Sequence, residues 1–489
     1  MRVDDLLAER RAGVLLHPTA LPGATGAGAL GAPAEAMLDF LAAAGCTLWQ
    51  MLPVGPVHAD RSPYRALSLY AGGEHLIGTR ALRGEAWLRA GATGARHGAR
   101  RHFLRFAAER FAAAAPAAER EAFDAYRARE ADWLPAYALF RVLRRLHRGA
   151  AWPTWPAPWR DGPQAAFAAL PAPLRHAVER EAFAQFVFHR QWRTFKHAAN
   201  ARGVLLFGDL PIYPAHDSAD VWANRRLFRV DARGAPLETA GVPPDAFAPQ
   251  GQWWGAPVYD WARMAAEDYA WWVQRVRVQA ERFDLLRVDH FRGYEAYWAI
   301  PAHARSAAEG DWCPGPGAAP FLRLQALPQP PALVAEDLGT ITPAVEALRD
   351  ALRMPGTRVL QFAFDGDPHN PHLPDRYAEA TVACTGTHDN DTALGWWRGL
   401  DAAARARVRA ALGTWTEPMP WPLLRAVLAS KARLAVLPMQ DLLGLDSHAR
   451  FNIPGTVGRN WRWRLRAPLL TPALAARMRA ALRAGERCA

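Results

Sequence analysis

Arg287 and Asp289 lie two residues apart in the segment Phe283-Asp-Leu-Leu-Arg-Val-Asp-His-Phe. In an extended strand that spacing puts both side chains on one face. A guanidinium beside a carboxylate keeps the acid ionised, as a nucleophile or charge-stabilising group requires. A plain buried ion pair is the structural alternative for this segment alone. Glu336 follows the apolar run Ala332-Leu-Val-Ala, surroundings that favour the neutral carboxyl a general acid needs. Its neighbour Asp337 is expected to face the other way and cap the following turn. Asp389 sits in Thr385-Gly-Thr-His-Asp-Asn-Asp, too polar a cluster for ordinary strand packing. Two carboxylates flanking a bond, one attacking and one trading a proton, are the apparatus of retaining glycoside cleavage. The same residue types could hold a metal, but the histidines lack spacing such as HExxH, so neither a metal nor another cofactor is expected.

These acids must be carried by something. Eight short β-rich apolar runs recur along the chain, at 14–17, 48–54, 204–213, 283–291, 332–338, 358–364, 381–389 and 434–439. Most are followed by a helical stretch, for example 33–44, 342–352 and 402–412. Eight strand–helix units predict an α/β fold, a (β/α)8 TIM barrel, rather than a doubly wound sheet. Asp209, Asp289, Glu336, Asp365, Asp389 and Asp441 all fall within or just after a run. Barrel active sites occupy the C-terminal ends of the strands, and so many acids on one rim are more simply explained by chemistry than by packing. Asp441 reads as a helix cap or loop anchor.

Two connections are too long for ordinary loops, and both leave C-terminal strand ends. Residues 78–200 read as a mainly helical insertion after the second strand. Residues 213–275, rich in Pro, Gly and Trp at their start, read as an insertion carrying a substrate-covering loop. No internal repeat divides the chain, so residues 1–489 are expected to form one catalytic barrel.

The net charge of +12 invites a polyanion-binding reading. However, Lys196 and Lys431 are the only lysines among 59 basic residues, and the arginines are scattered among acids. That pattern reads as compositional bias, and no nucleic-acid partner is expected. The cysteines at 46, 313, 384 and 488 fit neither a zinc pattern nor a disulfide framework. An acidic start without an apolar core, and no long uncharged apolar run, predict a cytoplasmic protein with no membrane partner. Gly26-Ala-Gly-Ala-Leu-Gly31 mimics a dinucleotide fingerprint, but the second strand ends without the required acid. It reads as a tight turn.

Taken in order, these segments resemble glycoside hydrolase family 77, the 4-α-glucanotransferases called amylomaltases or disproportionating enzymes. The resemblance is carried by Leu15-Leu-His-Pro-Thr-Ala-Leu-Pro-Gly, Trp49-Gln-Met-Leu-Pro-Val-Gly-Pro, Ser62-Pro-Tyr and Gly208-Asp-Leu-Pro-Ile. It continues through Asp217-Ser-Ala-Asp-Val-Trp, Gly241-Val-Pro-Pro-Asp, Arg287-Val-Asp-His-Phe-Arg-Gly, Ala335-Glu-Asp-Leu-Gly and Leu360-Gln-Phe-Ala-Phe-Asp. Thr385-Gly-Thr-His-Asp-Asn-Asp completes it. The resemblance implies α-1,4-glucan donors, and glucose or maltodextrin acceptors. It implies that Asp289 is the nucleophile, Glu336 the acid/base and Asp389 the third carboxylate. Arg287, His290 and His388 would hold the same sugar, with Tyr64 and Ser62 contacting the glucan. Asp245, Gln252 and Trp254 match a loop over the cleft, and Asn452 in Phe451-Asn-Ile-Pro-Gly matches a second lid. Gly73-Glu74 stands where Asn-Pro is common in the family, and Ala256 where Asn is frequent. A hydrolase of the related α-amylase class is the alternative activity.

Overall fold

A computed structural model describes residues 3–23, 28–89, 100–244 and 249–487. Asp245, Cys488 and the glycine at position 26 lie outside the described residues.

The apolar runs form eight parallel strands: β1 (Arg11–Leu15), β2 (Leu48–Gln50), β3 (Leu205–Leu210), β4 (Leu285–Val288), β5 (Ala332–Ala335), β6 (Gly356–Val359), β7 (Thr381–Cys384) and β8 (Leu434–Pro438). Ladder pairing runs from β6 through β7, β8, β1, β2, β3 and β4 to β5. The Ala335 N–H donates to Pro355 O at 2.8 Å and Thr357 Oγ1 donates to Ala335 O at 2.9 Å, joining β5 to β6. This is a (β/α)8 TIM barrel. Strands buried on both faces lack polar alternation; all five residues of β8, Leu434-Ala-Val-Leu-Pro, are buried. Barrel closure brings β1 and β2 so close that a Cβ on Gly13 would collide with Leu48 O.

Helices follow the strands with clear punctuation. Pro33 opens Ala32–Ala44, and Gly45, at φ 73°, ends it in the left-handed conformation that glycine adopts without cost. Thr342 caps Pro343–Ala351 by accepting from the Val345 N–H, and Asp401 caps Ala402–Leu412 through the Ala404 N–H.

After β2 come Arg100–Ala114, Ala117–Arg129, Leu134–Leu146 and the long Ala172–Ala201, among shorter helices. Leu134–Leu146 buries Leu134, Tyr137, Ala138, Leu139, Phe140, Val142 and Leu143 along one face. Glu74 forms an ion pair with Arg141 of this helix at 3.0 Å. The loop leaving β2 is thereby tied to the helical layer.

The stretch read as loop after β3 contains sheet. Glu238–Val242 pairs antiparallel with Gln252–Pro257 and with Ala296–Pro301, which pairs in turn with Asp311–Pro314. Gln252–Pro257 alternates in burial, with one face exposed. Its Trp, Gly and Pro content hides that period in the sequence. No described helix is long and apolar enough to cross a membrane.

Candidate active site

The rim is built by register. Asp209 of β3 stands directly opposite Arg287 of β4, and Val288 opposite Ala335 of β5. The residues just beyond that last pair are Asp289 and Glu336. The Asp289 N–H donates to Leu210 O at 3.1 Å, and the Glu336 N–H donates to Val288 O at 3.1 Å. Both carboxylates are therefore carried on backbone still tied to the neighbouring strand.

Arg287 is the hub. Its Nη1 donates to both Asp209 oxygens and to Asp289 Oδ1, each at 2.9 Å. Its Nη2 lies 3.7 Å from Glu336 Oε2. Burial works against the Arg287 charge, but Asp209 and Asp289 outweigh it and hold its pKa well above the ordinary value. Charge-assisted bonds of this kind fix the Asp289 carboxylate in one orientation.

Glu336 differs. Burial, aided by the nearby negative charge of Asp289, pushes its pKa up to about 8 against the pull of Arg287. Its Oε2 accepts from the His290 N–H at 2.7 Å, and its Oε1 from the Leu338 N–H at 3.2 Å. His290 adopts a left-handed backbone, φ 48°, that aims this N–H at the carboxyl. Burial lowers the His290 pKa to about 4, so its ring is neutral. The ring's buried Nε2 has no partner among the described residues.

Asp389 is held from other elements. Asn452 Nδ2 donates to its Oδ1 at 2.6 Å, and His388 Nε2 lies 3.3 Å from the same oxygen. Arg450 Nη2 donates to its backbone carbonyl at 2.6 Å. Tyr64 joins both halves of the rim. Its hydroxyl donates to Asp209 Oδ2 at 2.7 Å, and its ring stacks on His388 with centroids 5.1 Å apart. Trp461 closes against both rings, at 6.2 and 6.0 Å.

Over β4, Trp254 sets its ring edge-on to His290 at 4.9 Å, and its Nε1 donates to Gln252 Oε1 at 3.2 Å. The loop segment between them and β3 includes Asp245, which lies outside the described residues. Ser62 is half-buried, and its backbone N–H donates to Asp60 Oδ1 at 3.2 Å. No described contact joins Ser62 to the rim.

Three groups of this arrangement carry no role in the sequence reading: Asp209, Arg450 and Trp461. Asp209 lies in the Gly208-Asp-Leu-Pro-Ile motif, so its presence was visible but its partner, across a strand pair, was not. Asp337 requires a correction. It faces away from the rim but caps no turn; it accepts from the Thr357 N–H at 2.6 Å and from Arg349 at 2.6 Å and Arg358 at 3.1 Å. A cap competes poorly with two guanidinium partners. Asp441 is a loop anchor, accepting from Thr385 Oγ1 at 2.5 Å and the Ala393 N–H at 2.7 Å. Among the described residues no group of three or more His, Cys, Asp or Glu side chains is arranged to hold a metal ion.

Comparison with known proteins finds many that are similar to this chain over nearly its whole length. A family model described as glycoside hydrolase 77, 4-alpha-glucanotransferase, matches residues 16–471. The chain is 44% identical to the 4-alpha-glucanotransferase of Thermus thermophilus, covering 98% of this chain and 99% of that one. It is 42% identical to the Synechocystis 4-alpha-glucanotransferase, over 94% of each chain. The solved amylomaltase from Streptococcus agalactiae in complex with acarbose is similar over 98% of this chain and 100% of its own, with TM-score 0.92 and 31% identity.

Proposed function

We propose a division of labour among the rim residues from one premise: the chain belongs to the glycoside hydrolase 77 family of 4-alpha-glucanotransferases. The enzyme transfers α-1,4-glucan segments between maltodextrins by retaining double displacement. In our reading Asp289 attacks the anomeric carbon, and Glu336 gives its proton to the departing 4-oxygen. The acceptor's 4-hydroxyl then passes its proton back to Glu336 and displaces Asp289 from the sugar. One observation carries this assignment: two carboxylates share Arg287, yet burial keeps Glu336 protonated to about pH 8 while a single 2.9 Å bond from Arg287 holds Asp289.

Asp389 acts as the third carboxylate, bonding sugar hydroxyls as charge develops on the ring. His388, His290 and Arg287 surround the same sugar. His290 brings a buried, unpartnered ring nitrogen that suits a hydroxyl partner. Tyr64 supplies a wall, with Ser62 beside it. Gln252, Trp254 and Asp245 belong to one lid, over residues 242–255, and Asn452 to a second, over 451–459. Closing them excludes water, so an acceptor sugar outcompetes hydrolysis. Donors are α-1,4-glucans, and acceptors are glucose or maltodextrins. Acarbose, present in the similar Streptococcus agalactiae structure, is expected to compete for the same cleft. We read the whole chain as one catalytic barrel with insertions at 78–200 and 213–275, working in the cytoplasm without nucleic-acid or membrane partners.

Incubation with maltotriose tests the activity. Glucose and longer maltodextrins are expected while total reducing ends stay nearly constant. A steady rise in reducing ends would instead mark a hydrolase of the α-amylase class.

A further inference from the structure

A cleft of about 590 Å3 opens between the helical layer after β2 and the segment after β3. Its wall includes Tyr70, Asp132, Trp133, Asn224, Trp271 and Gln274. None of the three rim carboxylates lines it. We propose that this cleft is a second binding site for α-1,4-glucan, which holds a distal stretch of a long donor.

The wall is rigid and aromatic. Tyr70 stacks on Trp133 with centroids 5.9 Å apart and planes 18° from parallel. Trp271 meets Tyr70 edge-on at 5.8 Å, and the Tyr70 hydroxyl donates to Trp271 O at 2.8 Å. Trp271 also packs on Phe228 at 5.7 Å. A half-buried indole locked on two sides offers a flat apolar surface at little entropic cost. The C–H face of a pyranose ring is its natural complement.

The polar groups point the same way. Gln274 Nε2 is buried and has no hydrogen-bond partner among the described residues, although the side chain lines the cleft. A buried amide donor without an acceptor is costly, and a ligand hydroxyl would satisfy it. Exposed Asp132 stands at the mouth as an acceptor for further hydroxyls. Charge argues against an anion. Arg226, at the edge, is already paired with both Glu267 oxygens at 2.8 Å. Asp220, deeper in, accepts from Ser68 Oγ at 3.0 Å and the Leu69 N–H at 2.6 Å. What remains is an aromatic platform, an amide and a carboxylate, a set that suits a neutral polyol. A polymer held here and at the rim raises its own effective concentration at the catalytic groups.

Two measurements decide the matter. In full-length Asp289→Asn protein, titration calorimetry with maltoheptaose should give two bound molecules per chain, and one after adding Trp271→Ala. A single site in both proteins would overturn the proposal. In otherwise unaltered enzyme, Trp271→Ala and the surface variant Asp132→Ala should each raise KM for amylose about fivefold. Their rates on maltotriose should match the parent, which reports the rim independently and shows that the variants fold. Parent-like KM for amylose in both variants would equally overturn it.

Discussion

The two sides of the catalytic rim are built differently. Asp289 and Glu336 stand on adjacent strands, and the partners that fix them, Arg287 and the His290 and Leu338 amides, come from the same two strand ends. Asp389 is gripped by Asn452 and Arg450, more than sixty residues further along the chain. Side-chain exposure follows suit: 45% for Asp389 against 22% for Asp289 and 11% for Glu336. Barrel packing thus presets the two groups to which we assign bond formation and proton transfer, and burial pushes the pKa of Glu336 up to about 8. The third carboxylate is held by Arg450 and Asn452, at the segment we propose as the second lid. In that proposal, closing the segment and completing the charge array are one event.

This contrast can be broken most forcefully on the strand side. Asp289→Asn should lower kcat by at least about 10⁴-fold while leaving thermal stability near that of the parent, because loss of the nucleophile removes the covalent route. Glu336→Gln should cost about 10²- to 10⁴-fold in kcat on natural glucans. The sign of its pH effect is fixed. Glu336 must be protonated to act as an acid, so activity should fall as pH rises through about 8, and the variant should lose that basic limb. Arg287→Leu should destabilise the fold by about 3–5 kcal/mol, measured by denaturant unfolding, since it strands two carboxylates in a buried site. On the lid side the effects should be smaller. Asn452→Ala removes one partly exposed bond to Asp389, about 1 kcal/mol, and should lower kcat/KM about fivefold. Unfolding should be unaffected. If Asn452→Ala proved as damaging as Glu336→Gln, the division between preset and lid-borne groups would fail.

The same division governs what could be read in advance. The eight strands were legible because parallel barrel strands are apolar on both faces, and the period of two placed Arg287 with Asp289. That reading follows one strand at a time. It could not see that Asp209, on another strand, occupies the register position beside Arg287. Nor could it see Arg450 returning to the Asp389 carbonyl, or Trp461 closing on Tyr64 and His388, since these contacts arise only when distant segments fold together. The four-stranded sheet around Glu238–Val242 was hidden for a different reason. Its strands are short and carry Gly, Pro and exposed Trp, so local propensity contradicts the pairing that tertiary context imposes.

The central claim is that Asp289 forms the bond to the sugar and Glu336 handles the proton. It is tested most directly by trapping. Glu336→Gln enzyme is incubated with an α-maltosyl fluoride, whose leaving group needs no acid. The first displacement should proceed, and the second should stall for want of a base. Peptide mass spectrometry should then find a maltosyl mass on the peptide carrying Asp289, lost in the Asp289→Asn double variant. A label on Asp389 or Asp209, or turnover of the fluoride at the parent rate without any adduct, would contradict the account.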